Sequence, residues 1–141
     1  EEVQFRIGAV YFAQGEYEQA RNEWNQLSTQ NPEGDWSDNA MYQSGNILFL
    51  EGRYPEALTV FEQAAERYPD SEVINEIRFS MGNSQEEVGE LEAALKTFRS
   101  LRGSYPNPEV VGVKIKNLEK KIEGKPERLP VPAGHPASGN K

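Results

Sequence analysis

The chain repeats itself with a period of 37 residues. Four rows of identical residues recur at that spacing: Gly8, Gly45 and Gly82; Gly15, Gly52 and Gly89; Ala20, Ala57 and Ala94; Pro32, Pro69 and Pro106. A period of about 20 to 50 residues is typical of solenoids, whose units bury their apolar faces against their neighbours. Such arrays usually present an extended surface to partners. The period therefore favours binding over catalysis.

Two helices are predicted in each unit. The first spans about 1–14, 36–51 and 73–88, and ends before a glycine that can adopt positive φ. The second spans about 17–29, 54–68 and 91–105, and ends before a proline, since the residue preceding proline disfavours helical geometry. The short turn between them predicts close antiparallel packing.

Apolar side chains at helical spacing predict the core. The rows are Tyr11 and Leu48; Tyr17, Tyr54 and Leu91; Trp24, Phe61 and Phe98; Leu27, Ala64 and Leu101. The row of Gly8 is expected to face the row of Ala20 and so allow the two backbones to approach.

The last segments differ in composition. Asn107-Pro108 predicts a helix start, and residues 109–123 predict a capping helix, with Glu119 in the glycine row. Residues 124–141 are rich in Pro and Gly and predict a flexible tail. Its Leu129-Pro130-Val131-Pro132 run is either a short recognition peptide or, more often for such a composition, a plain linker.

These rows resemble the tetratricopeptide repeat, most clearly at Gly52-Arg53-Tyr54-Pro55-Glu56-Ala57 and from Phe61 to Pro69. The resemblance implies an all-α, right-handed superhelical solenoid over residues 1–123. It would contain three helix-turn-helix repeats, about 1–34, 38–71 and 75–108, and the capping helix 109–123.

The period is three residues longer than the usual 34 of this family. The extra residues are expected to add a turn to each first helix, with Trp36, Val73 and Val110 in one packed row. This longer form, with endings such as Tyr68-Pro69-Asp70-Ser71, resembles the bacterial cell-envelope branch of the family, which includes the repeat domains of Tol-Pal coordinators and of outer-membrane-assembly lipoproteins. It implies a periplasmic or envelope location, with a cytoplasmic one left open. The start at Glu1, without Met or a signal sequence, suggests an excised or processed piece.

Charge and motif content argue against several function classes. Residues 1–108 carry 19 acidic and 8 basic side chains, a net charge of −11 that would repel nucleic acid. The pairs Glu1-Glu2 and Glu86-Glu87 are adjacent in helices and so diverge, which argues against an enzyme. No cofactor is expected. The run from Asn31 to Ser37 lacks the glycine and glutamate of a calcium loop, so no metal site is expected, and no apolar run is long enough to span a membrane.

The inner face of the first helices is the predicted binding site for a protein or peptide partner. Its residues are Phe5, Phe12, Tyr42, Asn46, Phe49, Phe79, Asn83 and Glu86. Aromatic rings can anchor a partner, and asparagine amides can pair with a peptide backbone. The predicted function is a non-enzymatic adaptor. The alternative is a structural module that self-associates or stacks on further repeats, because Val3, Ile7 and Val10 have no earlier helix to cover them.

Overall fold

The structure is a computed structural model that describes residues 1–124. Within that range it contains seven α-helices and no strand: α1 Glu2–Ala13, α2 Tyr17–Gln30, α3 Ser37–Leu50, α4 Tyr54–Arg67, α5 Ile74–Glu87, α6 Leu91–Ser100 and α7 Pro108–Glu123. Each helix packs against the next one in the chain. The chain is thus an all-α helical repeat solenoid. The predicted tail lies outside the described residues from position 125 onward.

A glycine in the left-handed backbone region forms the turn between the two helices of each pair. Gly15, Gly52 and Gly89 have φ values of 78°, 75° and 87°. The residue after each glycine donates its N–H to the carbonyl five residues earlier, as Arg53 does to Leu48 at 2.9 Å. This hydrogen bond is that of a Schellman turn, which satisfies a free carbonyl at the helix end and reverses the chain.

The glycine inside each first helix lies under an aromatic ring. A Cβ added at Gly45 would lie 2.6 Å from Phe61 Cε1, and one at Gly82 would lie 2.8 Å from Phe98 Cζ. Gly8 has the same relation to the indole of Trp24. The predicted contact with the alanine row was therefore incomplete, because the large ring reaches across the helix pair and fills the space above the glycine.

Three core clusters follow from this packing. Each contains the alanine and aromatic rows of one second helix and residues of the first helix that follows. The first joins Ala20, Trp24 and Leu27 to Ala40 and Ile47; the second joins Ala57, Phe61 and Ala64 to Leu48 and Ile77; the third joins Ala94, Phe98 and Leu101 to Val111, Ile115 and Leu118. Each cluster therefore locks a helix pair to its successor.

The extra residues of the long period form turns before the first helices. The N–H groups of Gly34 and Ser37 donate to the carbonyls of Asn31 and Gly34, at 2.9 and 3.2 Å. The prediction of an added helical turn was therefore wrong, since α3 starts only after Trp36. Trp36 and Val73 pack against the core as expected. Val110 is exposed and does not join that row.

The spacing between the starts of successive first helices changes at α7, the capping helix. α5 begins 37 residues after α3, but α7 begins only 34 residues after α5. The reason is α6, which has 10 residues where α2 and α4 have 14. The prediction that α6 runs to residue 105 was wrong, because the chain turns at Gly103, which has φ 83°. Val111, Ile115 and Leu118 of α7 thus match Ile77, Met81 and Ser84 of α5, and Glu119 is not in the glycine row.

We expect Gly45→Ala to destabilise the fold, because its Cβ would overlap the fully buried ring of Phe61. Overpacking of this kind costs about 1 to 3 kcal/mol. Gly112→Ala is the matched control, since Gly112 lies in α7 with no atom within 4 Å of an added Cβ. It should stabilise the protein by about 0.5 to 1 kcal/mol, the usual gain of Ala over Gly in a helix. Urea unfolding would measure both, and a gain of stability at Gly45 would contradict the packing.

Candidate partner-binding groove

The first helices of the second and third repeats, α3 and α5, contact each other directly. The predicted site residues all lie on these helices, and all are half-buried. We call the face of the first helices that carries these residues the groove. Whether a partner binds there remains a prediction.

Phe5, Tyr42 and Phe79 occupy equivalent positions, and each lies against the ring that covers its own glycine. The ring centroids are 5.7 Å apart for Phe5 and Trp24, 6.2 Å for Tyr42 and Phe61, and 5.3 Å for Phe79 and Phe98. Phe79 also stacks on Tyr105 at 4.7 Å. Burial raises the pKa of the Tyr105 hydroxyl, and the nearby Glu76 and Tyr42 raise it further. This row is thus partly core and only its outer edges face the groove.

Phe12 and Phe49 form a second aromatic row. Their centroids lie 5.5 Å from Tyr17 and 5.0 Å from Tyr54 respectively, each across the turn between the helices of one pair. Both rings therefore support the turn. A change at either position would alter stability as well as any binding.

The two asparagines differ in their hydrogen bonds. Asn46 Nδ2 donates to Gln43 Oε1 at 3.3 Å on the same helix. Asn83 Oδ1 is buried and has no hydrogen-bond partner among the described residues. A buried acceptor without a donor costs about 1 to 3 kcal/mol. Because this oxygen is enclosed, a bound segment could donate to it only after the amide rotates.

Glu86 takes the place that the phenylalanines hold in the earlier repeats, and it contacts α7. Lys121 Nζ donates to one carboxylate oxygen at 2.6 Å and Lys114 Nζ to the other at 3.4 Å. Burial raises the pKa of Glu86, but the hydrogen bonds and charges of Lys121 and Lys114 outweigh it and hold the pKa below its ordinary value. Glu86 therefore joins the capping helix to α5, and its carboxylate is already engaged.

Sequence reasoning missed a trough along α7. It has a volume of about 790 Å³, and its lining includes Val110, Val113, Asn117, Lys120 and Glu87. In the 34-residue register, Val113 follows Phe79 and Asn117 follows Asn83. The fixed 37-residue step assigned other α7 residues to these rows. The early turn signal at Arg102-Gly103-Ser104 could have revealed the change of register.

At the other end, α1 exposes an apolar face. Val3, Ile7 and Val10 are 72%, 42% and 56% exposed. The equivalent α3 residues, Ala40, Ser44 and Ile47, are all buried, and α3 packs against α2. The α1 face thus has the position of a repeat interface.

Residues 1–124 contain neither a candidate metal site nor a membrane-spanning helix. Across residues 1–124, no group of three His, Cys, Asp or Glu side chains is placed to hold a metal ion. None of the helices in this range is both long enough and apolar enough to cross a membrane.

Comparison with known proteins identifies the family. Two models of the tetratricopeptide repeat match the chain, one over residues 1–70 and the other over residues 76–108. The chain belongs to the tetratricopeptide repeat family. Proteins of this fold generally serve as modules for protein–protein interaction.

A solved structure supports the same fold. The chain is similar to the TPR2AB domain of yeast Sti1 in its complex with pHSP90, with a TM-score of 0.72 and 16% identity. The match covers 86% of this chain and 47% of that one, so the chain spans about half the length of its structural neighbour. No curated protein matches the chain significantly.

We expect Glu86→Gln to weaken the attachment of α7 and to lower stability at pH 7 by about 1 kcal/mol, within the range for partly exposed ion pairs. A carboxylate with a lowered folded pKa stabilises above its unfolded pKa of about 4.3, and this contribution is lost as the pH falls through the folded value. The difference between wild type and variant should therefore shrink below about pH 4.

The exposed Glu87 makes no ion pair among the described residues, so Glu87→Gln is the matched control. Urea unfolding at a series of pH values would measure both variants. An equal loss for the two, or a Glu86 effect independent of pH, would contradict the assigned role of the carboxylate.

Proposed function

We propose that this chain is a non-enzymatic adaptor that binds an extended or helical segment of a protein partner in the groove, as part of a bacterial cell-envelope assembly. The observation that carries the proposal is a set of half-buried aromatic rings and asparagine amides on successive first helices. Asn83 also has a side-chain oxygen without a hydrogen-bond partner among the described residues. Rotation of its amide would offer a donor and an acceptor to the backbone of a bound segment.

The surroundings of Asn83 fit such a segment. Phe79 lies one helical turn before it, and its half-buried ring offers an apolar contact. Asn46 lies one repeat earlier, and among the described residues its side chain makes one long hydrogen bond, to its neighbour Gln43. Apolar ring edges beside amide groups favour a peptide, because the rings hold side chains and the amides hold the backbone.

Other features are consistent with this type of partner. The TPR2AB domain of Sti1, which is similar in fold, forms a complex with pHSP90. The net charge of −11 over residues 1–108 disfavours a nucleic-acid partner. The envelope assignment, and with it a periplasmic location, rests on the long step from α3 to α5 and on the Tyr68-Pro69-Asp70-Ser71 ending.

A second function has its own support. The exposed apolar face of Val3, Ile7 and Val10 suits stacking on a further repeat or on another copy. A structural module of this kind would have an average molar mass in solution that rises with protein concentration. Replacing Ile7 by Lys would abolish that rise and would leave the groove unchanged.

We expect Asn83→Ala to weaken partner binding by about 1 to 3 kcal/mol, the usual effect of losing a buried contact at an interface. The melting temperature should not fall, because the change removes an unsatisfied acceptor. Asn22→Ala is the matched control, since Asn22 is exposed on α2. The measurement is quantitative capture from bacterial envelope and cytosolic fractions, with light scattering for self-association.

The proposed function predicts partners that come from the envelope fraction, bind wild type and Asn22→Ala alike, and are lost with Asn83→Ala. Capture of the same partners by all three proteins would rule out the groove as the binding site. A concentration-dependent mass without any captured partner would instead favour the stacking module.

A further inference from the structure

Two valines in the lining of the trough along α7 are left exposed by the described residues. Val113 is 58% exposed and Val110 is 38% exposed. Val113 continues the row of Phe5, Tyr42 and Phe79, and each of those three rings lies against a ring of its own second helix. Within residues 1–124, α7 is followed by no second helix. The described residues thus place no second-helix ring against Val113.

The chain itself carries a suitable group. α7 ends at Glu123, and 17 residues follow Gly124. Their only large aliphatic side chains are Leu129 and Val131, which alternate with Pro130 and Pro132. Proline favours an extended polyproline conformation, which presents carbonyl acceptors and has few N–H groups to satisfy. The amide of Asn117 and the ammonium of Lys120 are donors in the lining of the trough.

The distance from Gly124 back to each valine of the trough matches the distance that the tail can span. Val113 is 11 residues before Gly124, which is about 16 Å along a helix. Leu129 is five residues after Gly124, and an extended chain of that length spans about 17 Å. Val110 lies about 21 Å back along the helix and Val131 reaches about 24 Å forward. If the chain reversed at Gly124, its length would therefore allow Leu129 to reach Val113 and Val131 to reach Val110.

The charges of the tail and of the trough lining are also compatible. Glu87 lies near Lys121 in the lining of the trough, and Lys121 is three residues from Gly124. Lys125 and Arg128 come first as the tail leaves the helix, with Glu127 between them. The basic groups can approach Glu87, and Glu127 can approach Lys120. A tail in the trough would thus meet charges of both signs, with no net repulsion to oppose apolar burial.

We propose that residues 129–132 bind in the trough of the same chain and compete there with the partner segment of the groove. The contact within the chain stands without the proposed function. Only its role as an autoinhibitor rests on that function. Since the trough continues the rows of Phe79 and Asn83, a partner that extends onto α7 must displace Leu129 and Val131.

The test uses a labelled peptide of residues 125–135 as the probe, added to the full-length chain. In Leu129→Ser/Val131→Ser the trough is open, and the peptide should bind at least about 5-fold more tightly than to wild type, because self-occupancy reduces the apparent affinity. Ala133→Ser/Ala137→Ser changes two tail residues outside the apolar run and should behave as wild type. Adding Val113→Lys to the first variant should abolish binding.

Methyl NMR signals provide a readout without added peptide. Those of Val110 and Val113 should shift between wild type and Leu129→Ser/Val131→Ser and stay in place in the alanine-to-serine control. Equal peptide affinity for wild type and the first variant, binding that survives Val113→Lys, or unmoved valine signals would each overturn the proposal.

The same experiments separate this inference from the proposed function. If the peptide binds in the trough but no partner is captured from any fraction, the tail contact is supported and its autoinhibitory role is not. An envelope partner that needs Val113, together with a peptide that does not bind, would assign the trough to the partner and overturn the tail contact.

Discussion

The structure depends on an aromatic ring seated on a glycine. Trp24, Phe61 and Phe98 each cover the glycine of their own helix pair, at a distance that leaves no room for a Cβ. Each ring also belongs to a core cluster that includes residues of the next first helix. One contact therefore fixes both the spacing within a pair and the docking of the following pair. The spacing between successive first helices can vary, as it does between α5 and α7, while this contact is kept.

Much of this architecture follows from the sequence because the constraint is local and repeated. Glycine, aromatic and alanine rows at one spacing predicted the helix pairs, the turn glycines and most of the core. The sequence did not show that the ring of Phe61 lies over Gly45, since rotamers decide how far a side chain reaches. The early end of α6 was missed because a fixed period took precedence over the turn signal at Gly103.

The groove was harder to predict, because its properties arise between helices. The positions of Phe5, Tyr42 and Phe79 could be derived from the period, but their stacking on core rings could not. Nor could the Asn83 acceptor, which has no partner among the described residues, or the ion pairs of Glu86 with α7. These features divide the groove into aromatic rings that also support the core and a part around Asn83 that we propose for partner binding.

The most direct test of the central packing is a double-mutant cycle between Gly45 and Phe61. In the Phe61→Val background the ring atoms that would meet a Cβ at position 45 are absent. The account predicts that Gly45→Ala changes sign there and stabilises the protein by about 0.5 to 1 kcal/mol, as Ala normally does in a helix. An equal loss of unfolding free energy on Gly45→Ala in both backgrounds would contradict it.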